Sequence, residues 1–513
     1  MASEYFIGVD SGTQGTRAVV VDGDSGEVVG NASVGYGLIE GLPEGHMEQH
    51  PSTWAEAMME AIEGALHASR VDRGDVRSLG VSGQQHGFVP LDGDGRVIRP
   101  AKLWNDTSTA EECEILAEVL GGVESVISLL GNSILPGYTA PKILWMKRHE
   151  PGNFKRLRTV LLPHDYLNFY LTGVSSMEYG DASGTAIMDV RRREWSEEVA
   201  EAVDPGLMER LPSIHPSDEA VGNVRDEVCR RLGLKGNVLV SSGGGDNMMG
   251  AIGTGNTRPG IVTVSLGTSG TIYSYSKTPV IDPIGEIAAF CDSTNGWLPL
   301  ACTMNVTVST EAVRAMLGYS LEELEAAVER SAPGSGGLVL LPYLTGERTP
   351  NVPNGTGVLF GLNERTFNGE SMARAAMEGA TMGLNYGLNR LRELGIDPEE
   401  IRLTGGGSRN AAWRRIAADV FNADVVTLRI EEGAAYGAAL QALWTYRSSL
   451  GERAEISEIT DRFVEVDEAD RVEPDPSNVD VYEELQRLQD GLSLDLRDAF
   501  EARSRLRRVN SLS

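Results

Sequence analysis

Two short glycine–threonine segments have the composition of phosphate-binding turns. Residues 12–16 read Gly-Thr-Gln-Gly-Thr, and residues 267–271 read Gly-Thr-Ser-Gly-Thr. Each follows an apolar run, which predicts a tight turn between two strands. Backbone N–H groups and small hydroxyls in such a turn approach phosphate oxygens closely, because glycine has no Cβ. The pair therefore indicates a polyphosphate ligand, with two ligand-free β-hairpins as the alternative.

Two aspartates stand at the ends of predicted strands. Asp10 follows the apolar run Tyr5–Val9, and it is a candidate Mg²⁺ ligand, since magnesium uses few protein carboxylates together with phosphate and water. Asp246 follows three glycines, and it is a candidate general base that would accept a proton from a hydroxyl nucleophile. The alternative for Asp246 is a helix N-cap, since a helix could begin at Asn247.

Two polar clusters have the composition of a polyol-binding site. Residues 83–87 read Gly-Gln-Gln-His-Gly after the predicted strand Ser78–Val81, and residues 104–106 read Trp-Asn-Asp. Amides and carboxylates bind hydroxyl groups, and an aromatic ring contacts the C–H face of a sugar. Each cluster alone is more typical of an ordinary polar loop. Together they favour a small hydroxylated ligand.

The opening segment predicts the elements that would position these residues. Apolar, β-branched runs separated by turn residues indicate an antiparallel meander of strands at Tyr5–Val9, Arg17–Val21 and near Val28. Helical patterns follow at Trp54–Ser69, Thr139–Arg148 and Glu197–Leu211.

The same arrangement returns in the second half of the chain. The apolar run Gly260–Val264 leads into the second glycine–threonine turn, and glycine triplets end two predicted strands, at 243–245 and 405–407. We interpret the repeat as two halves of similar design with a boundary near 253–260. A chance match is the alternative, because the chain contains 60 Gly.

The last part of the chain is acidic and ends in a helical pattern. Residues 452–480 carry few large apolar side chains, whereas Val481–Arg503 places Tyr and Leu at helical spacing. We expect a closing helix on the surface of the second half, with a partly disordered acidic tail as the alternative.

Composition excludes several classes of protein. The 513 residues, 41% hydrophobic and 23% charged, indicate a globular protein of two or three domains. The net charge of −29 disfavours binding to nucleic acid or anionic lipid. The chain has no apolar run long enough to span a membrane and no basic leader, which predicts a cytoplasmic protein. It also has no Gly-Lys dipeptide for a P-loop and no Gly-x-Gly-x-x-Gly for a dinucleotide.

The basic residues are almost all arginine. Only six Lys occur among the 45 Lys and Arg, against 74 Asp and Glu. Excess carboxylate with little lysine suggests a halophilic protein, since high salt screens the self-repulsion. An ordinary acidic cytosolic protein with biased codon usage is the alternative.

The motifs together resemble the FGGY family of carbohydrate kinases, over about Phe6 to Leu443. The resemblance rests on these segments: Gly8-Val-Asp-Ser-Gly-Thr-Gln-Gly-Thr, Ser82-Gly-Gln-Gln-His-Gly, Leu103-Trp-Asn-Asp, Pro136-Gly-Tyr-Thr-Ala-Pro-Lys, Leu162-Pro-His-Asp-Tyr-Leu, Asp181-Ala-Ser-Gly-Thr, Gly243-Gly-Gly-Asp-Asn, Gly346-Glu-Arg-Thr-Pro and Gly405-Gly-Gly-Ser-Arg-Asn.

The resemblance implies an α/β fold of the actin- and hexokinase-like ATPase type, with two ribonuclease H-like domains and a cleft between them. Residues 1–255 would form the sugar-binding domain and residues 256–445 the nucleotide-binding domain. Residues 446–513 would form an acidic extension with the closing helix. The family further implies ATP and Mg²⁺, a sugar substrate and, by analogy, a homodimer.

The resemblance also implies a role for each candidate residue. Asp246 would be the catalytic base and Asp10 would position Mg²⁺. The sugar would contact Gln85, His86, Asp106 and Asn247. The first phosphate turn would use Gly12, Thr13, Gln14 and Arg17, the second would use Gly267 and Thr268, and the adenosine would contact Gly406, Gly407 and Asn410.

The substrate class that the resemblance favours is a ketopentose, with D-xylulose first. A kinase for another ketose or polyol stays open, with ribulose, fuculose, glycerol, erythritol and gluconate as candidates. Two further alternatives share the fold. One is a sugar or nucleotide sensor without catalysis, and the other is a filament-forming ATPase.

Overall fold

A computed structural model describes residues 4–430 and 433–510 of the chain. The protein consists of two compact units, each made of three chain segments. The first unit comprises Met1–Arg258, Tyr275–Leu298 and Glu432–Glu465. The second comprises Pro259–Ser274, Pro299–Glu431 and Val466–Ser513.

The strands, in chain order, are β1 (Tyr5–Ser11), β2 (Gly15–Asp22), β3 (Val28–Gly35), β4 (Glu48–Gln49), β5 (Val76–Gly83), β6 (Val89–Leu91), β7 (Ala101–Lys102), β8 (Thr159–Leu161), β9 (Ser176–Glu178), β10 (Met188–Asp189), β11 (Glu194–Trp195), β12 (Ser213–His215), β13 (Ala220–Asn223), β14 (Leu239–Ser241), β15 (Gly244–Gly245), β16 (Ile261–Leu266), β17 (Gly270–Ser274), β18 (Ala288–Cys291), β19 (Trp297–Thr303), β20 (Val339–Leu341), β21 (Val358–Phe360), β22 (Glu400–Thr404), β23 (Asp424–Leu428) and β24 (Val466–Val472).

The helices are α1 (Pro51–Ser69), α2 (Ala110–Val119), α3 (Val123–Leu130), α4 (Thr139–His149), α5 (Pro151–Phe154), α6 (Pro163–Thr172), α7 (Tyr179–Ser183), α8 (Glu197–Val203), α9 (Asp226–Leu232), α10 (Asp246–Gly253), α11 (Thr307–Leu317), α12 (Leu321–Arg330), α13 (Gly369–Glu393), α14 (Ala411–Phe421), α15 (Gly433–Ser449), α16 (Ile456–Phe463), α17 (Pro476–Asp495) and α18 (Arg497–Asn510). In the part of the chain that the structure describes, no helix is both long and apolar enough to cross a membrane.

A mixed sheet organises the first unit, with strands in the order β13-β14-β5-β1-β2-β3. The antiparallel meander β1-β2-β3 confirms the prediction from the opening sequence. Strand β5 adds in parallel beside β1, and β14 adds in parallel beside β5. Successive residues of a strand face opposite sides of a sheet. Accordingly, Ile7 and Val9 join the buried cluster that includes Trp54 and Met58 of α1.

Glycines allow helix α15 to lie directly on the other face of this sheet. A Cβ on Gly8 would overlap the carbonyl oxygen of Ala435, and a Cβ on Gly80 would overlap that of Ala438. Helix α10 approaches α15 in the same way, since a Cβ on Gly437 would overlap the carbonyl oxygen of Met249. Backbone touches backbone at these positions, where an alanine would not fit.

The second unit repeats the local arrangement of the first. Strand β16 pairs antiparallel with β17 across the second glycine–threonine turn and parallel with β22, as β1 does with β2 and β5. The unit continues in the order β19-β17-β16-β22-β23-β24. The predicted repeat of strand, turn and strand is therefore confirmed.

Two predicted helices differ from the structure. The helix expected over Glu197–Leu211 ends at Val203, because Asp204 is extended before Pro205, and a residue that precedes proline avoids the helical conformation. The closing helix is interrupted rather than continuous. It comprises α17, which begins at Pro476 and packs on α13 and α14, and α18. The acidic segment before it contains α16 and the edge strand β24.

The glycine contacts of α15 predict a large cost for added side-chain volume. Gly8→Ala should destabilise the protein by about 1–3 kcal/mol or more, because neither backbone can move away without disturbing the sheet. The melting temperature measured by calorimetry would show the loss. Gly37→Ala is the control, since a Cβ there meets nothing within 4 Å. Equal melting temperatures for the two variants would contradict the packing argument.

Candidate functional site

Asp10 lies near the end of β1, opposite Arg17 of β2 and Ser82 of β5. The Ser82 hydroxyl donates to Asp10 Oδ1 at 2.8 Å. Burial raises the pKa of Asp10, while the Ser82 hydrogen bond and the positive charge of Arg17 oppose that rise. A carboxylate in this environment gains from a further positive charge, so Asp10 suits a cation ligand.

Hydrogen bonds within the first glycine–threonine turn and from Tyr36 stabilise that turn. Gly12 N–H donates to the Gly15 carbonyl at 3.0 Å, which closes the turn. The Tyr36 hydroxyl donates to the Gly12 carbonyl at 2.8 Å and lies 3.0 Å from Thr16 Oγ1. Gln14 and Arg17 are exposed beside the turn. Tyr36 was not predicted, because it follows the meander without a motif of its own.

Thr13 links this turn to the two predicted polar clusters. Its hydroxyl donates to Gln84 Oε1 at 3.2 Å and accepts from Trp104 Nε1 at 3.0 Å. Gln49, which was not singled out from the sequence, donates to the Thr13 carbonyl at 2.8 Å and accepts from Gln84 Nε2 at 3.1 Å. Gln84 and Trp104 thus act as supports of the turn.

Asp246 is the first residue of α10, and Gly245 is its N-cap. The N-cap interpretation of Asp246 is therefore wrong by one residue. Asp246 Oδ1 accepts from the backbone N–H of Asn247 at 2.8 Å and from Asn247 Nδ2 at 3.0 Å. Burial is the main cause that raises the pKa of Asp246 to about 7, and the negative charge of Asp10 adds to the rise. The hydrogen bonds from Asn247 oppose it. The group can therefore exchange a proton near neutral pH.

The protein's own side chains occupy the space beside the glycine triplet. A Cβ on Gly243 would meet His164, one on Gly244 would meet Ser293, and one on Gly245 would meet Gln85. These glycines allow buried side chains to pack against the segment that leads to Asp246.

Gln85, His86 and Asn247 adjoin Asp246. Asn247 Nδ2 donates to Gln85 Oε1 at 3.1 Å, whereas Gln85 Nε2 is buried and has no hydrogen-bond partner among the described residues. His86 packs against Tyr138, with ring centroids 4.6 Å apart, and its φ of 61° is left-handed. An unpaired buried amide beside aromatic rings is the kind of group that a polar ligand satisfies.

Asp106 has a different environment. It is fully buried, and it accepts from Lys102 Nζ at 3.0 Å, from Met47 N–H at 2.9 Å and from the Ser108 hydroxyl at 2.6 Å. Burial alone would raise the pKa of Asp106, but these donors and the Lys102 charge hold it below its usual value. Its side chain is thus bound within the protein, and Lys102 supplies the cation of this cluster.

The predicted nucleotide residues of the second unit come together at the end of β16. A Cβ on Gly405 would lie 3.1 Å from Gly267 N, while a Cβ on Gly406 would meet nothing within 4 Å. The carbonyl of Thr268 accepts from Val306 N–H at 3.1 Å. Gly407 packs on Trp413, and Asn410 caps α14 through Trp413 N–H at 2.8 Å. Gly406 is thus open beside the turn.

Comparison with known proteins places the chain in a family. The model of the N-terminal domain of the FGGY family of carbohydrate kinases matches residues 5–253, and that of the C-terminal domain matches residues 262–446. The xylulose kinase of Haemophilus influenzae is 43% identical over 486 residues, which cover 93% of this chain and 97% of that protein.

Two crystal structures illustrate the fold. The xylulose kinase from Bifidobacterium adolescentis has a TM-score of 0.82 at 31% identity, covering 95% of this chain and all of the other. The gluconate kinase from Lactobacillus acidophilus has a TM-score of 0.90 at 24% identity, covering 98% and 100%. The predicted α/β fold of the actin- and hexokinase-like type is therefore confirmed, and fold likeness alone does not select the sugar.

The raised pKa of Asp246 predicts a pH-dependent stability effect. Since the native pKa of about 7 exceeds the ordinary 3.8, ionising Asp246 costs folding free energy, and the cost grows as pH rises through that window. Asp246→Asn should therefore raise the melting temperature at pH 8 but change it little below about pH 4. Thermal unfolding across this range tests it. An Asn variant that is less stable than the native protein at pH 8 would contradict the assignment.

Proposed function

The chain belongs to the FGGY family of carbohydrate kinases, and we propose that it transfers the γ-phosphoryl group of ATP to D-xylulose, giving D-xylulose 5-phosphate. The observation that carries the proposal is the partly buried Asp246, with a pKa of about 7, next to Gln85 Nε2, which has no hydrogen-bond partner among the described residues. A proton acceptor and a sugar-binding donor lie side by side there.

Asp246 acts as the general base in this proposal. It accepts the proton of the sugar hydroxyl as that oxygen bonds to the γ-phosphorus and ADP departs. A pKa near the working pH makes a carboxylate both available as the base and strong enough to take the proton. A base of this kind contributes roughly 10²–10⁴-fold to the rate. The two Asn247 hydrogen bonds hold its Oδ1 and leave Oδ2 for the hydroxyl.

The sugar contacts are proposed for Gln85, His86 and Asn247. Gln85 Nε2 needs an acceptor, and a sugar hydroxyl supplies one. His86 is held beside Tyr138 and Phe290, so the three rings offer an apolar surface to C–H groups. Asp106 remains a proposed contact. Its lone pairs are shared with Lys102 and Ser108, so we expect it to act mainly through the loop that it stabilises.

ATP and Mg²⁺ are the cofactors of this family. Asp10 is suited to hold the metal. Burial raises its pKa because it disfavours the ionised carboxylate, and a bound cation would offset that penalty. Mg²⁺ held there would neutralise charge on the transferred phosphoryl group. We propose phosphate contacts for the first turn, through Gly12, Thr13, Gln14 and Arg17, and for Gly267 and Thr268 of the second turn. Gly406, Gly407 and Asn410 are the proposed adenosine contacts.

We further assign the sugar-binding role to residues 1–255, the nucleotide-binding role to residues 256–445 and a closing role to residues 446–513. A cytoplasmic location and a homodimer complete the proposal. Light scattering of the purified protein tests the dimer.

A substrate panel tests the activity. With ATP and Mg²⁺, coupled ADP release should be fastest on D-xylulose and slower on L-ribulose, D-ribulose, L-fuculose, glycerol, erythritol and gluconate. Asp246→Asn should lower kcat by at least about 10²-fold, and kcat/KM of the native protein should rise with pH through about 7. Faster turnover of another panel member would support the kinase activity but assign it a different sugar substrate.

The charge of −29 predicts a dependence on salt. Because salt screens repulsion among exposed carboxylates, the melting temperature and the kinase rate should both rise from low to molar KCl. Running the panel at both concentrations measures the rate. If activity falls steadily with salt while the protein stays folded, the halophilic interpretation is wrong.

A further inference from the structure

Three buried side chains hold the short segment that leads to Asp246. This segment, residues 241–243, connects β14 to the glycine pair of β15. Gln441 of α15 and His164 of α6 are 0% exposed, and Asn168 of α6 is 2% exposed. All three form hydrogen bonds to this segment. Together they fix the backbone just before Asp246.

Gln441 makes five hydrogen-bond contacts within the first unit, and its two Nε2 hydrogens are shared among three acceptors. Its Oε1 accepts from the Ser241 hydroxyl and from Gly243 N–H, both at 2.9 Å. Its Nε2 lies 3.0 Å from Ser242 Oγ and 3.1 Å from each of the Gly243 and Ser293 carbonyl oxygens. One amide therefore joins three parts of the chain that are far apart in sequence.

His164 holds the same segment from the other side. Its Nε2 lies 3.1 Å from the Ser242 carbonyl oxygen and its Nδ1 lies 2.5 Å from Asp181 Oδ2. A carbonyl oxygen only accepts, and so does an ionised carboxylate, so the ring donates at both nitrogens as an imidazolium. Asn168 Nδ2 donates to the same carbonyl at 2.8 Å.

The charges around His164 support this protonation state. Asp165 and Glu178 face the ring in addition to Asp181. Burial alone would lower the pKa of His164, but the carboxylates raise it to about 10. The carboxylates around His164 favour its protonated form, although burial also raises the pKa of Glu178 to about 7 and that of Asp165 well above its usual value.

The segment needs this external support. Gly243 has a φ of 69°, and Gly244 and Gly245 follow it, so three consecutive residues lack side chains that could fix the backbone by their own packing. Asp246 comes directly after them. Without bonds from outside, the direction of its carboxylate would depend on three consecutive glycines.

We propose that Gln441 and His164 are positioning residues for Asp246. They hold residues 241–243 in one conformation, so that the carboxylate at the start of α10 faces the acceptor hydroxyl. This role rests on the proposed function of Asp246 as the general base. Helix α15 would then contribute to catalysis, although none of its residues is among the predicted sugar, metal or nucleotide contacts.

Gln441→Met tests the proposal, since methionine fills nearly the same volume but makes none of the five bonds. We expect kcat to fall at least about tenfold, in line with the cost of a misplaced reacting group, while the KM for ATP changes less than about twofold. Deuterium exchange of the amides of residues 242–247 should become faster.

Gln489→Met is the matched control. Gln489 is a buried glutamine of the second unit, 1% exposed, whose Nε2 donates to the Gly379 carbonyl at 3.0 Å. This variant should leave kcat and exchange at 242–247 unchanged. If Gln441→Met does not fold, Asn168→Leu removes one donor to the Ser242 carbonyl and should show the same pattern more weakly.

The outcomes separate the two proposals. Native kcat and native exchange in folded Gln441→Met would overturn the positioning role. So would an equal loss of kcat in Gln489→Met. An Asp246→Asn variant that retains full activity would overturn the base assignment instead, and faster exchange in Gln441→Met would then still show that the segment is held by Gln441.

Discussion

The first unit depends on one steric constraint, which is that helix α15 must touch the central strands of the sheet with its backbone. Gly8 of β1 and Gly80 of β5 leave room for the carbonyl oxygens of Ala435 and Ala438. Dispersion contacts weaken steeply with distance, so this approach gives dense packing that larger residues would prevent. The same approach brings Gln441 within hydrogen-bond distance of the segment before Asp246.

Buried charge is arranged in two adjacent groups around that segment. Asp10 and Asp246 stand at the ends of β1 and β15, and the burial of each raises its pKa. His164 lies on the other side with Asp181, whose negative charge also raises the pKa of Asp246. Because a buried carboxylate without a cation is costly, the arrangement favours binding of positive charge beside Asp10. By the same electrostatics, Asp246 loses its proton less readily when no positive charge is bound beside Asp10.

The sequence predicted those features that leave a local pattern. The meander β1-β2-β3 and the repeated glycine–threonine turns follow from apolar runs and turn residues, whereas the fold class follows from the family resemblance of the motifs, and the structure confirms all three. Asp246 was singled out because three glycines precede it. By contrast, Gln441 and Tyr36 make their contacts with residues far apart in the chain, and nothing in their own neighbourhoods distinguishes them. His164 lies in one of the segments that carry the resemblance, but its bonding partners come from other segments. The side chains that pack against the glycine triplet likewise come from other segments.

The discontinuous composition of the first unit has a consequence for its synthesis. The Tyr436 hydroxyl donates to the carbonyl of Gly26, which precedes it by 410 residues, and α15 covers a face of strands β1 and β5, which are translated long before it. A ribosome that adds about 5–20 residues per second needs roughly 20–80 s to make that stretch. During this time one face of β1 and β5 lacks its helix. The first unit therefore reaches its native packing only after residues 299–431 of the second unit have been made, although its own first strands are translated before them.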